Sequence, residues 1–325
     1  MRWRLPSDWL HSPRWFVQSS DYPPLLNEAQ LQSLRQQAQR RLVSALDVNL
    51  EVHQRLLGDQ LSPFVKSGYE FAEIRAYQPG DNVRFINWRR YAQSGKLYIN
   101  RFHEERRPQC WLILDRRHSM RFGTRIRLKV TQAATLAMYH LYKVQAQQMA
   151  VGGVMMETQP QWYEAKSSEH GLQPLQRHIN APCPPLIESG DDSQLDSVLR
   201  NLLARCAPGC FIFLISDFHD LSPLTSGPLA ALCALHTVSA LHIVDQSEQS
   251  LPDSGILNLI NTRDQQIINI DCDNRGARDS FNQSLQGSLH DIQQQLTQHQ
   301  LHYRQISAQL DLFTTDDTRH ETEID

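Results

Sequence analysis

Apolar runs that alternate with helical patterns constrain the fold of this chain more than any other feature of its sequence. The run WLILD at 111–115 is apolar up to its last residue, as expected of a strand that is covered on both faces. The predicted strands are 111–115, 150–156, 211–217, 237–245 and 301–306, with an added strand at 267–271, and the predicted helices are 128–149, 194–205, 228–236 and 278–300. A proline-rich loop is predicted at 158–186. This alternation predicts an α/β fold with a doubly wound, mostly parallel sheet.

The rest of the chain differs from this pattern in composition. Between 61 and 108, aromatic and β-branched residues mix with the turn signals Pro79-Gly80-Asp81 and Ser94-Gly95, which predicts short strands and turns. The predicted regions are 1–60 (an irregular arm, then a glutamine-rich amphipathic helix at 25–57), 61–108 (a small β-rich subdomain), 109–312 (the α/β domain) and 313–325 (an acidic disordered tail).

Charge is unevenly distributed along the chain. The 325 residues carry a formal net charge of −3, yet residues 84–129 contain thirteen Lys and Arg against three acids. Such a basic block favours contact with an anionic partner, which includes nucleic acid. A solvated face that the acidic remainder neutralises explains it equally well, and we find no nucleic-acid-binding motif.

Cysteine usage and hydropathy favour a cytoplasmic protein. The six cysteines are scattered, and none has the paired spacing of a zinc site, so we expect reduced thiols. No apolar run is long enough to span a bilayer. The tryptophan-containing stretch at 1–16 is interrupted by two prolines, and we interpret it as a packing arm.

Two carboxylates and two hydroxyls define a candidate site. Asp115 and Asp217 each end a predicted strand, where ligands collect in a doubly wound sheet. Ser119 follows in the first loop, and Ser193 precedes a predicted helix. An all-oxygen cluster of this kind suits magnesium. Each residue also has a purely structural interpretation, as a helix cap or a loop tether, and spacing alone favours that interpretation.

Two motifs resemble a known family. LDRRHSM at 114–120 and SDF at 216–218 resemble the metal-site loops of the von Willebrand factor A fold. The segment GYEFAEIRAYQPGDNVRFINW at 68–88 closely resembles the pattern of the domain of unknown function 58 family, and the resemblance extends from about 62 to 312. The matching positions are Gly68, Glu70, Phe71, Arg75, Tyr77, Gly80, Asp81, Arg84, Ile86 and Trp88. The resemblance implies an A-like domain that acts in protein contacts alongside a MoxR-type AAA+ ATPase.

The chain departs from the family pattern at three positions. Ser193 stands in place of threonine and keeps the hydroxyl, and Asn87 stands in place of aspartate. Arg117 occupies a position where the metal-site pattern has a hydroxyl. At about 4 Å and an effective dielectric of about 20, its charge would repel each unit of ionic charge by roughly 4 kcal/mol. Either Arg117 points outward beside a weakened magnesium site, or it takes the ion's place and pairs with Asp115 or Asp217, and we favour the second arrangement.

The 68–88 motif also has two interpretations. Gly80 and Asp81 indicate a tight turn. Glu70 with Arg75 or Arg84 would form a buried ion network, and Tyr77 and Trp88 would pack over it to fasten the subdomain in place. Alternatively, Arg84, Arg89 and Arg90 form a docking surface.

These observations favour a non-enzymatic adaptor that works with a MoxR-type AAA+ ATPase, with an unidentified client. The alternatives are a metal-dependent hydrolase that uses the same loop carboxylates and a nucleic-acid-binding module that uses the 84–129 block. We find no compelling nucleophile–base pair and no phosphate-binding glycine loop.

Overall fold

The computed structural model describes residues 22–40, 70–78, 86–103, 109–124, 126–184, 193–251, 255–260 and 267–310. The chain divides into two units, a hairpin unit (Asp47–Pro108) and a sheet unit (Met1–Leu46 with Gln109–Asp325). The elements are α1 (28–40), β1 (Glu70–Ala76), α2 (Trp88–Ser94), β2 (Tyr98–His103), β3 (Gln109–Asp115), α3 (Lys129–Ala146), β4 (Ala150–Met156), β5 (Gln161–Lys166), α4 (Glu169–Ile179), α5 (Leu195–Arg205), β6 (Phe211–Ser216), α6 (Pro223–Leu235), β7 (Thr237–Val244), β8 (Ile256–Ile260), β9 (Ile267–Asp271), α7 (Arg275–Thr297) and β10 (His302–Ser307).

The sheet unit is built on a six-stranded sheet in the order β10-β7-β6-β3-β4-β5. All neighbouring strands are parallel except β5, which runs antiparallel to β4 at one edge. The chain moves from β3 to β4 on one side and returns to place β6 on the other side, so strand order reverses at β3. This confirms the predicted doubly wound, mostly parallel sheet.

Helices cover both faces of the sheet, which explains the uninterrupted apolar runs. Along β3, Leu112 and Leu114 belong to the core beneath α1, α3 and α4, whereas Trp111 and Ile113 belong to the core beneath α5, α6 and α7. Successive strand residues point to opposite faces, so a strand between two helical layers needs apolar residues at every position.

One prediction for the sheet unit was wrong. The segment 158–186 contains β5 and α4 instead of an irregular loop. Its prolines suggested a loop, but Ser168 caps α4 and the spacing of Leu172, Leu175 and Ile179 gives the helix a buried stripe that outweighs the internal proline. The added strand predicted at 267–271 is confirmed as β9, which pairs antiparallel with β8 in a separate two-stranded ribbon.

In its described residues, the hairpin unit contains the antiparallel pair β1–β2 with α2 between the two strands. The prediction of strands and turns alone missed α2, whose ends are set by two residues. The Asn87 side chain accepts a hydrogen bond from the Arg90 backbone at 3.0 Å, and Gly95 ends the helix in the left-handed region with φ 65°.

Several family-motif positions lie outside the described residues, among them Gly80, Asp81 and Arg84. Arg75 donates to the carbonyl of Ala76. Trp88 is 62% exposed. The proposed ion network includes Glu70 and Arg84, whose side chains lie outside the described part of the structure, so the network and its fastening role stay predictions.

Other predicted segments cannot be compared with the structure. Most of the N-terminal arm, the predicted helix beyond residue 40 and the acidic tail at 313–325 lie outside the described residues. Within the part of the chain that the structure describes, no helix combines the length and the hydropathy needed to cross a membrane.

Candidate functional site at the switch point of the sheet

The candidate site lies where strand order reverses. Asp115 is the last residue of β3 and Asp217 follows β6 directly, and these two strands are parallel neighbours. Their carboxyl ends meet at one edge of the sheet, which we call the loop face. The sequence analysis placed both aspartates correctly, and both are buried.

Arg117 folds back into this site. Its Nε and Nη2 donate to the two carboxylate oxygens of Asp115, at 3.0 and 2.6 Å. Its Nη1 and Nη2 donate to the two oxygens of Asp220, at 2.5 and 3.0 Å, and Nη1 also donates to the carbonyl of Ser193 at 2.9 Å. A guanidinium has five N–H donors in a rigid fork, and here each of them has an acceptor. The side chain is only 1% exposed.

The carboxylates that surround the Arg117 guanidinium determine its pKa. Burial alone lowers the pKa of the Arg117 guanidinium, but Asp115 and Asp220 outweigh burial and raise the pKa overall. For Asp220 the signs are opposite. Burial raises the pKa of its carboxyl, but the hydrogen bonds and charge of Arg117 outweigh burial, so the pKa of Asp220 is lower than usual. Arg117 and Asp220 are therefore both held in their charged forms.

A second buried cation neutralises the other aspartate. Lys129, in the first turn of α3, donates from Nζ to Asp217 at 2.9 Å and to Glu248 at 2.6 Å. Burial raises the pKa of Asp217, but Lys129 and His219 lower it further than burial raises it, so its pKa lies well below the usual range. The aspartate is an ion-pair partner rather than an exposed base.

Ser119 and Asp217 both contact His219, but in an arrangement that does not form a catalytic relay. The His219 Nδ1 atom lies 2.9 Å from Ser119 Oγ and 2.7 Å from Asp217 Oδ1. In a Ser-His-Asp relay the serine and the aspartate contact opposite ring nitrogens, so that the ring can take a proton on one side while it is oriented from the other. Both contacts fall on one nitrogen here, which does not support nucleophile activation.

Ser193 is placed at the same edge, as predicted. Its carbonyl accepts from Arg117, and its hydroxyl is buried without a hydrogen-bond partner among the described residues. Such an unsatisfied hydroxyl is the one feature of the site that a bound ion would explain.

The remaining geometry does not fit a divalent cation. One ligand atom each of Asp115, Asp217 and His219 lie within 4.8 Å of one another, a spacing at which carboxylates and imidazole can share an ion. However, Arg117 takes both oxygens of Asp115, and Lys129 takes one oxygen of Asp217. An added ion would displace these hydrogen bonds and lie close to two buried positive charges.

Sequence reasoning found part of this arrangement. It favoured Arg117 as a replacement for the ion and paired it with Asp115 or Asp217, and the structure pairs it with Asp115 and Asp220. It missed Lys129, Asp220, His219 and Glu248. The signals available were the second acid in SDFHD at 216–220 and the lysine in the first turn of the helix after the loop.

Neighbouring contacts hold the loops of the site in place. Arg116 donates to Glu157 at 2.9 Å and to four backbone carbonyls between 178 and 182. Asp245 accepts from the backbone and the hydroxyl of Thr124, at 3.1 and 2.6 Å. These contacts tie the loop after β3 to the ends of α4 and β7, so the loop face has a fixed shape.

Two apolar side chains lie exposed at this edge. Ile126, in the loop before α3, is 68% exposed, and Leu224, in the first turn of α6, is 69% exposed. Both follow the carboxyl ends of central strands. The loop face therefore combines buried ion pairs with exposed aliphatic groups.

Comparisons with known proteins agree with the sequence resemblance. The profile of the family described as "Protein of unknown function DUF58" matches residues 73–290. "Uncharacterized protein Rv1480" of Mycobacterium tuberculosis (strain H37Rv) is 29% identical over 226 residues, which cover 66% of this chain and 69% of that protein.

Among solved structures, BatB from Bacteroides thetaiotaomicron superposes at 12% identity and a TM-score of 0.36, over 59% of this chain and 98% of that one. A von Willebrand factor type A protein from Catenulispora acidiphila superposes at 12% identity and a TM-score of 0.29, over 42% of this chain and 33% of that one. Both superpositions are loose, so the von Willebrand factor A-like fold of the sheet unit rests on its own strand order and site position. Because the family profile matches more than half of the sequence, the chain belongs to the DUF58 family.

Proposed function

We propose that this chain is a non-enzymatic adaptor whose loop face binds a MoxR-type AAA+ ATPase or the client of that ATPase. The observation that carries the proposal is that buried cations of the chain itself pair with the loop carboxylates. Arg117 pairs with Asp115 and Asp220, and Lys129 pairs with Asp217. Side chains that are committed to such pairs stabilise the shape of a surface, whereas general acids and bases need accessible groups with pKa values near the working pH.

The surface above these pairs suits protein contact. Ile126 and Leu224 expose aliphatic groups on loops that are held by buried ion pairs and hydrogen bonds. Apolar side chains on a preorganised surface lose little conformational entropy on binding, so more of their contact energy contributes to affinity. The family resemblance is the reason for proposing the ATPase and its client as partners. The geometry of the loop face is the reason for proposing where they bind.

Single substitutions at exposed positions test the contact face without disturbing the core. The full chain would be co-expressed with the MoxR-type ATPase of the same organism and purified by a tag on the ATPase. We expect Ile126→Asp or Leu224→Asp to abolish co-purification. Leu235→Asp is the matched control, because Leu235 is also an exposed leucine but lies at the opposite end of α6, away from the loop face. Equal recovery of all variants contradicts the proposal, and no recovery of the native chain excludes the ATPase as the direct partner and leaves only its client.

A turnover assay tests the hydrolase alternative. The native chain would be incubated with magnesium and p-nitrophenyl phosphate, and we expect no activity above that of an Asp217→Ala variant. Hydrolysis by the native chain that the substitution abolishes would replace the adaptor by an enzyme.

A further inference from the structure

The helix α2 of the hairpin unit is exposed, and none of its side chains is buried against the described residues. All ten residues from Trp88 to Leu97 are exposed, and α2 has no buried residue. Three of the exposed side chains are large and apolar: Trp88, Tyr91 and Leu97. Exposed tryptophan of this extent is unusual on a surface that has only water to contact.

This helix is held in a defined position despite its exposure. Asn87 and Gly95 cap its two ends, and the backbone of Asn87 donates to the carbonyl of Tyr98 at 2.8 Å. The buried residues Ile86 and Ile99 pair across the same junction. The chain thus fixes α2 on the hairpin through its flanks and leaves the outer surface of the helix available.

The aromatic side chains form an ordered cluster on that surface. Trp88 and Tyr91, three residues apart on one helix, meet edge to face at 6.1 Å with an interplanar angle of 90°. The Arg90 guanidinium lies over the ring of Tyr98 at 4.9 Å. Rigid aromatic and arginine side chains in one patch are the residue types that dominate binding energy at protein interfaces.

The charge of the patch is of one sign. The exposed stretch 88–97 contains Arg89, Arg90 and Lys96 and no acidic residue, although the chain as a whole is negative. Such a patch attracts carboxylates and repels basic partners. We propose that α2 binds an acidic segment of a partner protein, with an apolar residue of that segment packed against Trp88 and its acidic residues facing Arg89 and Arg90.

The observations favour an acidic peptide over a nucleic acid. Single-stranded nucleic acid binds to aromatic rings that lie flat, so that successive bases can stack. Trp88 and Tyr91 are perpendicular to each other, and Leu97 offers an aliphatic surface instead of a third ring. This surface belongs to the hairpin unit, and its role does not depend on contact at the loop face of the sheet unit.

A phage-displayed library of random twelve-residue peptides, panned against the full chain, tests the proposal. We expect enrichment of peptides in which Asp and Glu flank an aromatic or aliphatic residue, and at least tenfold weaker binding of these peptides to a Trp88→Ala variant by fluorescence anisotropy. Leu235→Ala is the matched control and should bind as the native chain does. An Arg89→Glu/Arg90→Glu variant should select basic peptides instead.

Several outcomes would overturn the assignment. They are the absence of enrichment, enrichment of neutral or basic peptides by the native chain, and unchanged binding by Trp88→Ala when its melting temperature equals that of the native chain. Tighter binding of a twelve-nucleotide single strand than of the selected peptides, lost on Trp88→Ala, would assign the surface to nucleic acid.

Discussion

Replacing Arg117 by methionine tests whether the loop face is built on an internal cation. Methionine keeps an unbranched side chain of similar length and removes the guanidinium with its five hydrogen bonds to Asp115, Asp220 and Ser193. The buried carboxylates of Asp115 and Asp220 would then lose the positive charge that both of them contact. The change in stability therefore reports the loss of the ion pairs, because most of the packing of the side chain is kept.

The expected cost follows from the burial of the pair. Removing one partner of a buried salt bridge leaves an uncompensated charge and costs about 3–5 kcal/mol. Some compensation remains, because Asp115 still accepts from Ser216 Oγ at 2.6 Å and Asp220 from the Leu195 backbone at 3.0 Å. For a unit of this size each kcal/mol lowers the melting temperature by roughly 2–4 °C, so we expect a decrease of about 10 °C.

Differential scanning calorimetry of the full chain measures this decrease, with Arg200→Met as the matched control. Arg200 pairs with Asp196 on the exposed surface of α5 at 3.1 Å. Exposed pairs contribute about 0–1 kcal/mol, so the control should melt within a few degrees of the native chain. Adding Asp220→Asn to Arg117→Met should recover part of the loss, because it removes one of the orphaned charges. Equal, small effects of Arg117→Met and Arg200→Met would refute the assignment of Arg117 as a buried counter-cation.

Three further predictions concern the same unit. Magnesium should not raise the melting temperature of the native chain, and a clear rise that Asp115→Ala abolishes would restore the ion site. Lys129→Met should lower the free energy of unfolding in urea by about 3–5 kcal/mol, because it strands Asp217, and a loss below 1 kcal/mol would contradict this. Burial lowers the pKa of His242 to about 4, so stability should fall as pH decreases from about 6.5, the usual pKa, towards 4. His242→Phe should flatten this dependence in acid-titrated urea melts, and an unchanged slope would show that other groups cause it.

The strands and most helices of the sheet unit were predictable because burial on both faces leaves a local signal. The run AVGGVMM predicted β4 with the bounds that the structure has. Segments at the edge left weaker signals. β5 is an edge strand without a buried residue, and α4 contains Pro174, so composition favoured a loop and the buried stripe of three residues was missed.

Only the contacts between residues close in sequence could be predicted for the candidate site. Strand ends placed Asp115 and Asp217 at one edge, and the two-residue separation of Asp115 and Arg117 made their pairing a reasonable expectation. Lys129 is 88 residues from Asp217 in sequence, and Arg117 is 103 residues from Asp220. Pairs at such separations are set by the order of strands and the position of α3, which periodicity does not specify.

An internal cation also changes how a contact surface at the loop face can be regulated. A bound metal ion exchanges with solvent, so an ion-dependent surface can be loaded and emptied. Arg117 and Lys129 are covalently part of the chain and stay charged across the physiological pH range, because their acidic partners raise the pKa of both. These two cations therefore keep their charge, and under the proposed function an adaptor built on them is regulated through its partner. If the partner is the proposed AAA+ ATPase, its nucleotide cycle supplies such a switch, and we then expect affinity to vary with the nucleotide bound to the ATPase and not with the concentration of divalent ion available to the adaptor.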